Sequence, residues 1–170
     1  VGGGKRARPD GACVYRPGPF EAARTAPSVL GLFELSHMQY EHDRDKGAEG
    51  EPDLEAMTRF AIENLARDDA GYVLLVEGGR IDHGNHEGNA YRALDETSSL
   101  SRAVAAAAQM TSAEDTLIVV TADHSHTLNL VGYPRRGNPI LGKVRGRGSA
   151  DDDPNEYARD ALGLPLTTLL

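Results

Sequence analysis

Tyr72-Val73-Leu74-Leu75-Val76-Glu77-Gly78-Gly79-Arg80-Ile81-Asp82-His83-Gly84-Asn85-His86 passes abruptly from an unbroken apolar run to a polar, glycine-bearing segment. The run lacks polar alternation, as expected of a strand buried on both faces, and Gly78-Gly79 ends it just after Glu77. The pattern recurs downstream, where Thr116-Leu117-Ile118-Val119-Val120-Thr121 leads into Ala122-Asp123-His124-Ser125-His126. Between the two, residues 86–110 contain Ala, Leu, Glu and Arg without Pro, and residues 103–108 are dense in Ala, which predicts a long, closely packed helix. Strand, helix and strand make a βαβ unit with parallel strands and a right-handed crossover, so the fold class is α/β. Ligands of such sheets gather outside the carboxyl ends of the strands, where both polar segments begin.

Working outward, Leu54, Met57, Ala61 and Leu65 recur at steps of three and four, predicting a helix with Asp53 as N-cap and Gly71 beyond its end. Val29-Leu30-Gly31-Leu32-Phe33 has strand length. Residues 1–28 are rich in Gly, Pro and Arg and read as irregular loop. Residues 150–154 read as an exposed linker, and Leu166-Thr167-Thr168-Leu169-Leu170 as the start of a further strand. The 170 residues fit part of a single domain: 1–28 irregular, 29–144 a core segment, 145–170 linker and strand.

The formal charge of -8 argues against a general nucleic-acid surface. Arg135, Arg136, Lys143, Arg145 and Arg147 read as a solvated basic loop within that acidic background. No run approaches the roughly 18 apolar residues of a membrane span. The single Cys13 cannot form an internal disulfide. Val1-Gly2-Gly3-Gly4 carries no targeting features, so any signal peptide is expected outside the chain.

Four of the six histidines lie in the two polar segments, beside Glu77, Asp82 and Asp123. Carboxylate oxygen and imidazole nitrogen suit zinc where thiolate is absent. Asp82 and His86 are four apart, so on a helix both project toward one ion. Asp123 and His124 are adjacent, and a loop can bend both toward a second ion. Glu77 offers oxygen alone and suits magnesium better. His83 and His126 can serve as hydrogen-bonding support around the ligands. The alternative is that an isolated Asp-x-x-x-His caps a helix, as polar residues often do at strand ends. Recurrence of Glu, Asp and His after two sequential strands favours metal. His37 and His42, in a charged segment, read as surface histidines.

Both segments, together with Thr111-Ser112-Ala113-Glu114-Asp115-Thr116 and Gly132-Tyr133-Pro134-Arg135-Arg136-Gly137-Asn138, closely resemble alkaline phosphatase. The resemblance runs from about Leu30 to about Val144, and Leu30-Gly31-Leu32-Phe33-Glu34 and Met38-Gln39-Tyr40-Glu41 resemble the animal-type branch and its bacterial relatives. It implies a three-layer sandwich with a largely parallel central sheet flanked by helices. It implies hydrolysis of phosphate monoesters to an alcohol and inorganic phosphate through a phosphoserine intermediate, with two zinc ions and one magnesium.

By the same resemblance, Glu77 is the magnesium carboxylate, Asp82 and His86 bind the first zinc, and Asp123 and His124 bind the second. His83 is the supporting residue near magnesium and phosphate, and His126 supports the zinc-bound aspartate. The carbonyl of Phe33 with Glu34 and Glu51 corresponds to the additional calcium site of animal-type members. An extracellular or periplasmic homodimer acting on small-molecule phosphomonoesters is implied. The nucleophilic serine and the last zinc histidine of the family have no counterpart in these residues, so the chain reads as a C-terminal-half fragment, inactive alone. The alternatives are a noncatalytic metal-binding fragment, or another superfamily hydrolase such as a phosphodiesterase or sulfatase.

Overall fold

The computed structural model describes residues 11–15, 22–126, 134–145 and 157–167. Two compact units divide the chain: residues 1–79 with 95–121, and residues 80–94 with 122–170.

In the first unit, β1 (Ala12–Val14) pairs in parallel with β2 (Val29–Gly31), in the register Ala12 to Val29, Cys13 to Leu30 and Val14 to Gly31. The expectation of loop throughout residues 1–28 is thus corrected at β1. The main chain makes the difference: the Ala12 amide donates to the Ser28 carbonyl and the Leu32 amide to that of Val14, both at 2.8 Å. Turn-forming residues nearby do not prevent three residues from completing such a ladder. Val14, Ala23 and Phe60 form the buried cluster, with Ala12, Val29, Phe33 and Met57 packed on it.

Phe60 and Met57 come from α1 (Leu54–Leu65), the helix expected from the apolar spacing. Asp53 caps it as expected, its Oδ1 accepting from the Ala56 amide at 2.6 Å. Glu55 and Arg59, four apart on the same helix, pair at 2.9 Å. Gly71 follows with φ of 82°, a left-handed conformation that glycine adopts without penalty.

The two runs expected as strands, 72–76 and 116–121, have no ladder partner among the described residues. Val73 is 97% exposed and Leu117 87%. The sequence pattern registers how apolar a strand must be when both faces are covered, but pairing requires a second backbone alongside. The paired βαβ arrangement is therefore corrected to two apolar segments that join no sheet among the described residues and are connected through helix, within an incomplete α/β fold.

The connecting helix also divides. A short α2 (Arg80–His86) precedes α3 (Ala90–Met110). Gly88, at φ of 63°, makes the turn, and Asn89 Oδ1 accepts from the Arg92 amide at 3.1 Å to open α3. Ala103 and Ala106 of the Ala-dense end are buried, as the small side chains led one to expect.

In the second unit, antiparallel bridges join Lys143 to Thr167, Arg145 to Tyr157 and Arg159 to Pro165, around the buried Val144. The expected linker at 150–154, and 168–170 of the expected strand, lie outside the described residues.

A charged cluster orders the first unit. Glu41, only 7% exposed, receives the Arg44 guanidinium at 2.7 and 3.2 Å, and Lys46 and Arg102 each stand 3.4 Å away. The Glu41 amide donates to Glu96 of α3 at 2.6 Å. Burial pushes the Glu41 carboxyl up, but Arg44, aided by Lys46, outweighs it and holds the group below the usual carboxylate range. A lowered folded-state value means stability that is fully present above the unfolded glutamate value of about 4.3 and is lost as pH falls through the folded value. Glu41→Gln should therefore lower stability near neutral pH by about 3 kcal/mol and flatten this part of the acid dependence. Urea unfolding of both proteins at neutral and acid pH checks this; parallel pH profiles would contradict it.

Candidate metal centre

Helix α2 carries the first donor pair. Its i, i+4 spacing sets His86 Nε2 3.3 Å from Asp82 Oδ2, on one face as the sequence implied. Gly84, between them, is buried against the start of α3, where an added Cβ would lie 2.9 Å from the Ala93 amide nitrogen and 3.1 Å from its Cα. Only hydrogen fits there, so the glycine lets the helix carrying Asp82 and His86 dock directly on backbone. The Asn89 amide closes the corner by donating to the Gly84 carbonyl at 2.9 Å.

The second pair lies on the 122–126 segment. Asp123 Oδ2 stands 3.3 Å from His124 Nε2, and Asp123 Oδ1 accepts from the His124 amide at 3.0 Å. This is the bend that adjacent residues need if they are to address one ion. Two donors bound tetrahedrally to zinc at about 2.0–2.1 Å lie roughly 3.3 Å apart. Both pairs therefore already have the edge length of a zinc tetrahedron.

His126 links the two pairs. Its ring centroid is 4.0 Å from that of His86 and 6.5 Å from that of His124. Donor atoms of Asp82, His86 and His126 all lie within 4.8 Å of one another. His126 thus joins Asp82 and His86 in one group of donors with the reach to share an ion.

The donor chemistry passes a test of fit. Asp82 Oδ1 is buried and accepts no hydrogen bond, although the outer face of the side chain reaches solvent. An unmet buried carboxylate oxygen costs more than the roughly 1–3 kcal/mol of a neutral group, and a cation offsets that cost.

Arg80 contributes what the sequence reading missed. Its Nη1 lies 3.2 Å from His83 Nδ1. A guanidinium only donates, so in this contact Nδ1 is placed as the acceptor. The signal was an arginine three residues before a histidine, which has meaning only once α2 is formed.

Glu77 belongs to the other unit and is exposed. A Cβ at Gly79 would meet its Oε1 at 3.2 Å, so that glycine leaves room for the carboxylate to fold back over the turn.

In that first unit, Tyr15, Phe33, Glu34, Gln39, Asp45, Glu49 and Glu51 line an open acidic cavity of about 440 Å³. It gathers the three residues expected at a calcium position. Glu51 Oε2 accepts from the Gln39 amide at 2.7 Å, while Glu51 Oε1 is buried without a hydrogen-bond donor. His37 and His42 are exposed, as expected.

The alkaline phosphatase family pattern matches residues 20–158, most of the chain. The chain belongs to the alkaline phosphatase family. It is similar to the tissue-nonspecific alkaline phosphatase of Gallus gallus, 51% identical over 126 residues that cover 74% of this chain and 24% of that protein. Its likeness to the Homo sapiens isozyme is 48% over the same shares. The membrane-bound alkaline phosphatase of Bombyx mori is 47% identical over 69% of this chain and 21% of its own length. Among solved structures, the cold-active alkaline phosphatase of the psychrophile Shewanella sp. matches with a TM-score of 0.52 and 25% identity, covering 58% of this chain and 24% of that one. The chain therefore spans about a quarter of the length of the relatives it matches. The family is metal-dependent, in keeping with the triad on α2 and the 122–126 segment.

Two substitutions probe this architecture. His86→Ala should weaken zinc binding by at least tenfold, since changes beyond the ligands alone cost about 10–100-fold. Competition with a chromophoric chelator measures it, and unaltered affinity would remove His86 from the site. Gly84→Ala should destabilise by about 1–3 kcal/mol through overpacking against Ala93, read as a lowered urea midpoint.

Proposed function

We propose that the intact enzyme to which these residues belong hydrolyses phosphate monoesters to an alcohol and inorganic phosphate through a phosphoserine intermediate. The observation that carries this reading is the convergence of Asp82, His86 and His126, with the Asp82–His86 separation matched to zinc, in a chain of the alkaline phosphatase family.

Asp82 and His86 would hold the first zinc, Asp123 and His124 the second, and Glu77 magnesium. His126 would orient the Asp82 carboxylate from its place beside His86. Bound zinc supplies Lewis-acid charge to the attacking and leaving oxygens of phosphoryl transfer. The chain's own residues set the conditions for that chemistry. Asp82 and Asp123 contribute anionic oxygen, while His86 and His124 contribute neutral nitrogen, which must be unprotonated to ligate. With Arg80 holding its Nδ1, His83 presents an Nε2–H donor suited to a phosphate or carboxylate oxygen. The nucleophilic serine is assigned to no residue of this chain.

The carbonyl of Phe33 with Glu34 and Glu51 would hold calcium in the acidic cavity, the buried Glu51 Oε1 supplying the donor atom that most needs a cation. Residues 1–170 are read as part of a single alkaline phosphatase domain. A homodimer outside the cytoplasm, extracellular or periplasmic, acting on small phosphomonoesters, completes the reading. Among the described residues, no helix is long and apolar enough to cross a membrane.

A second reading applies to the 170 residues alone: a noncatalytic metal-binding piece. The nearly full exposure of Val73, Leu75 and Leu117 favours it, because apolar strand runs without neighbours cannot form the sheet that would fix two metal pairs together. The isolated chain should bind zinc yet leave a chromogenic phosphate ester intact. Zinc-dependent turnover by the isolated chain would overturn this second reading. In the intact enzyme, His124→Ala should abolish turnover and reduce zinc content, and normal values of both would overturn the assignment of the second pair.

A further inference from the structure

Arg44 reaches three segments of the first unit with one planar group. Its Nε and Nη2 grip both oxygens of Glu41, Nη2 stands 3.3 Å from Asp53 Oδ2, and Nη1 donates to the Glu51 main-chain carbonyl at 3.2 Å. The guanidinium fork permits this and an ammonium does not, because several directed donors must leave one rigid plane.

The contact with Glu51 is of a particular kind. Arg44 hydrogen-bonds that residue through its carbonyl and ion-pairs with Glu41 and Asp53, while the Glu51 carboxylate acts on it only as a further, weaker attraction. Neither Glu51 carboxylate oxygen is hydrogen-bonded by the guanidinium. On the other side, the Gln39 amide takes Glu51 Oε2 at 2.7 Å and leaves Oε1 buried without a donor. The loop between the two residues is folded tightly: a Cβ on Gly50 would fall 1.8 Å from the Asp45 carbonyl oxygen, and Asp45 Oδ1 accepts from the Gly47 amide at 2.8 Å. With its backbone held by Arg44 and one oxygen held by Gln39, the Glu51 carboxylate has little freedom to turn away.

We infer that Arg44 is a positioning residue for the cation site of the acidic cavity, fixing the Glu51 main chain so that Glu51 Oε1 faces the ion. This rests on the calcium reading given above. Groups beyond the ligands that hold a ligating carboxylate typically change metal affinity by about 10–100-fold.

The test is calcium titration of the full chain by calorimetry, with terbium luminescence as a second probe, alongside melting curves with and without calcium. Glu51→Gln should abolish binding. Arg44→Lys, which retains charge but not the fork, should weaken binding roughly tenfold or more and shrink the calcium-induced rise in melting temperature. Arg59→Lys, on the half-buried Glu55 pair away from the cavity lining, should leave both unchanged. If Glu51→Gln binds calcium normally, the calcium reading itself fails. If Glu51→Gln loses binding while Arg44→Lys keeps wild-type affinity and a wild-type calcium-induced shift, the calcium reading stands and the role of Arg44 is overturned, whatever its effect on the metal-free melting point. Should Arg44→Lys not fold, Glu41→Gln loosens the grip on the guanidinium while preserving side-chain shape; weaker calcium binding in that variant supports the inference and unchanged binding overturns it.

Discussion

The contact of Gly84 with the backbone of Ala93 is the constraint on which the donor cluster of Asp82, His86 and His126 depends. Because no side chain intervenes, α2 can end, turn through Gly88 and Asn89, and start α3 within three residues while staying pressed against it. That corner fixes the direction of α2. Helix geometry then places Asp82 and His86 on one face, where His126 meets them. A larger residue at 84 would push the helix off its support and take both donors with it.

Accounting for buried carboxylate oxygens separates the acids that build the protein from those suited to an ion. Glu41 has cationic partners at both oxygens and a lowered pKa, so its charge is already answered by the chain. Asp82 and Glu51 each keep one buried oxygen with no donor. The same residue class thus serves opposite ends, and the difference is whether a guanidinium or ammonium reaches it. Arg44 joins both cases, gripping both oxygens of Glu41 while its hydrogen bond to Glu51 goes to the main chain.

The apolar runs at 72–76 and 116–121 show where local pattern and fold part company. Their composition is that of strands covered on both faces, yet each stands without a ladder partner among the described residues. Strand pairing is the property of two backbones, and the composition of one run carries no record of the other. By contrast, α1 formed with its expected cap because a helix closes its hydrogen bonds within one segment.

The amino-acid sequence alone determined what depends on residues near one another in the chain: the Asp53 cap, the apolar face of α1, the i, i+4 placement of Asp82 and His86, and the family to which these motifs belong. Periodicity and short-range stereochemistry carry that information directly. Only the tertiary structure decided that 12–14 would be a strand, that the long helix would break at Gly88, and that Arg44 would tie Glu41, Asp53 and Glu51 together. Those outcomes turn on which donor meets which acceptor across the folded chain, and residue spacing carries no record of such distances.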